Sequence, residues 1–259
     1  MADQRKYTNK LEGKKVLIIG GSSGIGYGVA EACLECGARV TIASSSPERL
    51  ATAVDKLKAS YPSAADRISF HPCDLGDEET IETNIVKLFK AVGEINHVVY
   101  TAGDPVSLTH LHDFTLANMR QVALVRFHGV LLAAREASQY LPKSPESSFT
   151  ITSGVSAERP YPGMTLHASC AGGHVAMARG LAVDLKPIRV NTVSLGAVDT
   201  RLFKMPEEQK QALFKRVVDL TTTGKIAKVE DVVEAYLFCM KDTNVTGSTI
   251  ASNGGALLT

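Results

Sequence analysis

The chain has 259 residues, of which 44% are hydrophobic and 21% charged, with a formal net charge of +1. This length suffices for one large α/β domain with a sizeable core, and so small a charge gives no electrostatic case for nucleic acid or an anionic membrane. No apolar run reaches the length of a signal peptide or a membrane span, so a cytoplasmic protein without a membrane partner is expected.

Lys15 to Ile19 (KVLII) reads as a first strand, broken by Gly20-Gly21-Ser22-Ser23-Gly24-Ile25-Gly26 and followed by helical spacing from Tyr27 to Cys36. Ala38 to Ala43 reads as a second strand, then Pro47 opens a helix through about Ser60. Strands are expected at Ile68 to Cys73, Ile95 to Thr101, Ser148 to Thr152, Arg189 to Ser194 and Ser248 to Ala251. Between them the spacing predicts helices over Glu78 to Val92, Met119 to Tyr140 and Leu166 to Leu185. Strand and helix alternate at a length that makes βαβ units. The expected fold is therefore a single Rossmann-type domain over residues 1–259, a doubly wound parallel sheet of seven strands with helices on both faces. Residues from about 199 to 229 interrupt the alternation with a charged helical insertion, placed where a substrate lid would sit.

The glycine run lies between the first strand and first helix. There the backbone can approach a pyrophosphate, and the helix N-terminus supplies N–H groups and positive dipole. Gly20, Ser22, Ser23, Gly24, Ile25 and Gly26 are accordingly candidate dinucleotide contacts. An acid at the end of the second strand would mark NAD. The chain instead has Ser44, Ser45, Ser46 and Arg49, whose hydroxyls and charge suit a ribose 2′-phosphate, so NADP(H) is the expected cofactor. The same serines also make an ordinary helix cap.

Five scattered cysteines do not form a disulfide framework, and Cys33 and Cys36 fall within a helical stretch without a second ligand pair. His110 and His112 likewise lack a third ligand at recognisable spacing, so no metal is expected. The charged face from Lys204 to Lys215 reads as solvated.

Taken in order, GGSSGIG, CDL at Cys73, TAG at Thr101, TSG at Thr152, RGLAVD at Arg179, RVN at Arg189 and the run Ser194 to Thr200 resemble the short-chain dehydrogenase/reductase family along nearly the whole chain. The resemblance implies that Asp74 contacts the adenine, and that Leu75, Ala102, Gly103, Gly196 and Val198 line the cofactor. It also implies that Thr200 meets the nicotinamide carboxamide. Family members commonly assemble as homodimers or homotetramers through two long helices.

That family carries a Tyr and, four residues on, a Lys in the helix after Gly163, where this chain has His167 and Ala171. Ser153 lies fourteen residues before His167, near the usual spacing of the family's Ser. Alignment on Gly129 puts Arg126 in place of the family's relay Asn. An apolar helical setting makes Arg126 a buried charge in need of a partner: Glu136, Glu158, an oligomer contact, or a bound substrate or cofactor. The catalytic candidates are thus Arg126, Ser153, Glu158 as base or partner, and His167 as substitute acid.

VRF, TSG and RPYPG before the missing pair resemble a fungal branch of NADPH-dependent proteins of indole-alkaloid biosynthesis. That branch includes combined reductase/Diels–Alderases of the malbrancheamide and paraherquamide type and a citrinadin-type Pictet–Spenglerase. The Diels–Alderase group has an Asp between the two prolines, whereas Tyr161 stands here. Hydride addition to an iminium needs no proton donor, so the first expectation is iminium reduction or cyclisation of an alkaloid-like small molecule. A carbonyl reductase using His167, and a non-enzymatic NADP(H)-binding protein, are the alternatives.

Overall fold

The structure is a computed structural model and describes residues 5–200 and 207–259. Its strands are β1 (Lys15–Ile19), β2 (Arg39–Ser44), β3 (Ile68–Pro72), β4 (His97–Tyr100), β5 (Ser148–Gly154), β6 (Arg189–Leu195) and β7 (Thr249–Ser252). The helices are α1 (Gly24–Glu35), α2 (Pro47–Ser60), α3 (Ile81–Val92), α4 (Leu116–Ala123), α5 (Gly129–Tyr140), α6 (Thr165–Asp184), α7 (Glu207–Val218) and α8 (Val229–Lys241). The seven strands form one sheet in the order β3-β2-β1-β4-β5-β6-β7, and every pairing is parallel. The expected doubly wound sheet is what the chain adopts.

Strand burial explains why so little alternation appears in these runs. Both faces are covered, so β4 and β6 are buried at every position. One core lies under α1, α2 and α8 and includes Val29, Leu50 and Tyr236. The other lies under α3, α5 and α6 and includes Phe89, Ala133, Phe149 and Met177. Burying side chains of this size contributes roughly 1.5–3 kcal/mol each. β1 has β2 on one side and β4 on the other. The winding direction reverses there, and a crevice opens beyond the carboxyl ends of those two strands.

Local chemistry sets the element ends, at the crevice for α2 and at the opposite end of the strands for α3. Pro47 occupies the first turn of α2, and Ser46 caps it by accepting from the Arg49 amide at 3.2 Å. Gly93 closes α3 at φ 71°, a conformation that disfavours side chains with a Cβ.

One expected element is corrected. The continuous helix from Met119 to Tyr140 is instead two helices, α4 and α5, joined by a single π-type turn over Leu124–His128. In this turn the Gly129 amide donates back to Leu124, one residue further than in an α-helix. Helical spacing of apolar residues is the same on either side of such a turn, which hides it from periodicity.

Within the insertion at 199–229, α7 is helical, and Thr223 donates its amide to the Gly254 carbonyl at 3.2 Å. Residues 201–206 of that segment lie outside the described residues. So does Lys204 of the charged face. Among the described residues no helix is long and apolar enough to cross a membrane, and no three metal-ligating side chains are gathered. All five cysteines are free.

Candidate functional site

A cleft of about 890 Å³ opens beyond the ends of β1 and β4, with the glycine loop as its floor. A cavity of this size accommodates a dinucleotide-sized ligand. Gly20, Ser22, Ser23, Gly24, Ile25 and Gly26 line it, together with Ser44, Ser45, Arg49, Asp74, Leu75, Ala102, Gly103 and Thr200. A Cβ on Gly26 would lie 2.4 Å from the Gly20 carbonyl and 2.5 Å from Thr101 Oγ1, so only glycine permits this closed loop. Thr101 in turn donates its hydroxyl to the Ile19 carbonyl at 3.2 Å, tying β4 to the loop.

Three of the expected cofactor residues stand elsewhere. Ser46 is committed to the α2 cap and donates its hydroxyl to Glu48 at 2.8 Å. Val198 is buried and bridges to Ala227, while Gly196 packs against the Asn253 backbone. None of the three lines the cleft.

At the rim beside β2, Arg49 donates to Ser45 Oγ at 3.0 Å. Ser44 Oγ is buried and has no hydrogen-bond partner within the protein. A hydroxyl in that state is costly unless a bound group satisfies it. Thr52 and Lys56, one and two turns further along α2, also face the cleft. Sequence reading missed both, although i, i+3 and i+7 spacing from Arg49 puts them on one helix face. The glycine cradle, the orphaned Ser44 hydroxyl and the cations beside it fit a dinucleotide carrying a 2′-phosphate.

The opposite end is built from side chains. None of Arg126, Ser153, Glu158 and His167 lines the cleft; Gly103, Asp104 and Pro105 form its wall there. Behind that wall the half-buried Arg126 guanidinium donates through Nη2 to the Asp104 backbone carbonyl. A Cβ on Gly103 would come within 2.9 Å of Nη1, so the guanidinium lies flat against a glycine. Burial lowers the Arg126 pKa, with Asp104 opposing. Its Nε is buried without a partner. The acidic partners considered from sequence are not used: Glu136 pairs with Arg135 at 2.9 Å, and Glu158 is solvent-exposed.

Ser153 donates its hydroxyl to the Ala171 carbonyl at 3.0 Å. Its proton therefore points at the helix that lost the lysine. His167 is buried, and its Nε2 sits 3.0 Å from the Ser107 carbonyl oxygen and 3.3 Å from the Ser107 amide. Desolvation, and then the Arg126 charge, hold its pKa below the ordinary histidine value. A neutral imidazole clamped to one peptide is poorly placed to deliver a proton.

Two residues that sequence reading passed over complete this end. Tyr100, at the end of β4, donates its hydroxyl to the Val125 carbonyl at 2.6 Å. His174 on α6 meets the Arg126 carbonyl through Nε2. Neither was a candidate from sequence, because Tyr100 ends an ordinary apolar strand and His174 lies in an unremarkable helical stretch.

A family model described as an SDR-like Rossmann domain matches residues 7–259. The short-chain dehydrogenase/reductase fsr5 of Gibberella fujikuroi is 43% identical over 264 residues, covering 100% of both chains. A solved structure described as the MalC reductase/Diels-Alderase from Malbranchea aurantiaca superposes with a TM-score of 0.93 at 39% identity, over 98% of this chain and 100% of that one. A small-chain dehydrogenase solved in complex with NADPH shares the fold at 24% identity and a TM-score of 0.75, over 96% of this chain and 100% of that one. The chain belongs to the short-chain dehydrogenase/reductase family, alongside fungal reductases.

Proposed function

We propose that this protein is an NADPH-dependent biosynthetic enzyme acting on an imine or iminium of alkaloid type, by reduction or by accompanying cyclisation. When bound, NADPH supplies a hydride, which converts an iminium carbon to an amine without a proton. Gly20 to Gly26 hold the pyrophosphate on backbone and helix N-terminus, and Ser44, Arg49 and Lys56 read the 2′-phosphate. Asp74 contacts the adenine, Leu75 lines the cofactor, and Thr200 meets the carboxamide.

Asp104 lines the cleft and carries a carboxylate suited to a cationic substrate. Arg126 grips the Asp104 backbone and keeps that carboxylate in place. The segment at 199–229 closes over the substrate as a lid. Pairing through α5 and α6 gives a homodimer or homotetramer.

The observation that carries this reading is the state of His167. Its Nε2 is held on the Ser107 peptide and burial, then the Arg126 charge, lower its pKa, while Ala171 replaces the lysine and Ser153 is spent on the Ala171 carbonyl. A ketone reductase needs an acid at this position, and an iminium reductase does not. The MalC reductase/Diels-Alderase lends support through its likeness over the full chain. Tyr161, exposed on the loop before α6, weighs toward reduction or Pictet–Spengler chemistry over Diels–Alder cyclisation.

The test is NADPH oxidation with dihydro-β-carbolinium salts set against a matched panel of ketones. Turnover confined to the iminium salts is expected, and it should survive His167→Phe. Ketone turnover that disappears in His167→Phe would sink the proposal in favour of an ordinary carbonyl reductase.

A further inference from the structure

The wide turn between α4 and α5 moves the backbone ladder out of step by one residue, since the Gly129 amide reaches back to Leu124. A shift of this kind leaves carbonyl groups that the helix itself does not satisfy, and buried carbonyls need donors. Two side chains from other elements supply them. The Tyr100 hydroxyl, from β4, donates to the Val125 carbonyl at 2.6 Å. His174, from α6, donates through Nε2 to the next carbonyl, that of Arg126.

Both donors are built in rather than incidental. Tyr100 and His174 are 2% and 5% exposed, so neither has water as an alternative partner. Room for the Tyr100 hydroxyl exists only because residue 129 is glycine; a Cβ there would lie 2.4 Å from that oxygen. In the neutral ring that donates from Nε2, Nδ1 carries no hydrogen, and Nδ1 is buried without a hydrogen-bond partner. Desolvation lowers the pKa of this ring, the bond to the Arg126 carbonyl opposing it and the Arg126 charge adding to it.

The backbone so gripped is that of Arg126, whose guanidinium holds the cleft wall at Asp104. We propose that Tyr100 and His174 are positioning residues: they lock the wide turn in the register that aims Arg126 at the Gly103–Asp104 wall. The inference rests on the reading of Arg126 given above for its functional consequence, though not for its geometry. The two clamps act through Arg126 and touch neither the cleft nor its contents.

Arginine-directed labelling with phenylglyoxal, read by peptide mass mapping on the folded full-length protein, tests the clamp without a substrate. Arg189 is an internal control, because its guanidinium is also held by carbonyls, those of Pro145, Cys239 and Met240, away from the turn. Tyr100→Phe and His174→Leu should each speed labelling at Arg126 by about tenfold and leave Arg189 unchanged. His174→Gln, which can return an N–H donor to the same carbonyl, should stay protected. Three results overturn the proposal: Arg126 equally slow in both variants, Arg126 and Arg189 accelerating together, or wild-type Arg126 reacting as fast as exposed Arg49.

A kinetic arm separates this inference from the proposed reaction. With NADPH and dihydro-β-carbolinium, the loss caused by His174→Leu should vanish when Arg126 is already alanine. A further loss in the Arg126→Ala background overturns the clamp. If wild-type protein turns over no iminium at all, the reaction fails while the labelling result still decides the clamp.

Discussion

The two ends of the cleft make their contacts by different means. At the end beyond β1 and α1, the working groups are backbone amides, a helix N-terminus and the space left by glycine. At the end beyond β4 and α6, they are side chains: Asp104 on the wall and, behind it and outside the cleft lining, Arg126, His167, Tyr100 and His174. Backbone machinery tolerates little replacement, because a Cβ in the cradle collides with peptide atoms whatever the side chain. Side-chain machinery can be exchanged on an unchanged sheet. The tyrosine and lysine expected of the family could therefore give way to His167 and Ala171 while the strand order and glycine loop stayed intact.

Four experiments break or sharpen that contrast. The largest effect is expected from Gly26→Val, whose side chain would meet the Gly20 carbonyl and Thr101. NADPH affinity, followed by fluorescence titration, should fall by about a hundredfold or more, which is about 2.7 kcal/mol. Tight binding by a folded variant would show that the backbone cradle is not the seat of affinity.

Arg126→Ala should come next, lowering iminium turnover by about a hundredfold, the scale of removing one preorganised electrostatic group. NADPH affinity should hold within about twofold, since the guanidinium lies behind the wall. Equal losses in binding and turnover would erase the distinction between the two ends.

The third concerns pH. His97 is pushed down to about 3 from the ordinary 6.5, by burial first and then by Arg189 and Lys14. His167 and His174 are shifted the same way, burial being the largest cause in each. A depressed folded pKa means that the unfolded chain takes up protons first. Stability should be level above about pH 7 and fall steadily below about pH 6.5, toward the folded values. Urea midpoints between neutral pH and pH 5 measure this, and a flat profile would contradict it. His97→Asn should shallow the slope and leave NADPH binding at neutral pH unaltered, because His97 lies inside the sheet against Ser148.

The smallest effect is reserved for Ser44→Ala. Its buried hydroxyl has no partner in the protein, so its removal should weaken NADPH by about fivefold and leave NADH unchanged. Parallel titrations with the two cofactors decide it. Equal effects on both would assign Ser44 to packing alone.

Much of the cofactor end was legible in the residues themselves. A short apolar run, glycines at close spacing and a following helix are local patterns, and the alternation of seven strands with helices is a periodic one. Ser46, Gly196 and Val198 were placed at the cleft by pattern, yet capping and backbone packing draw them elsewhere. Lys56 escaped notice because an exposed lysine on a helix is ordinary until the fold turns that face toward a cleft.

At the other end the replacement of Tyr and Lys was plain from the sequence, and so was the oddity of an arginine in an apolar helix. What that arginine does was not. The residues alone determined the parallel sheet and the glycine loop, since each is written in neighbours or in a fixed period, while resemblance to the family exposed the loss of the usual proton donors. Only the tertiary structure decided that Arg126 faces a backbone carbonyl rather than Glu136 or Glu158, and that the helix around it is broken by a wide turn. Tyr100 lies 25 residues before the carbonyl it meets, and His174 lies 48 after its own. Partnerships at that separation depend on how sheet and helices close around the chain, and no local pattern encodes them.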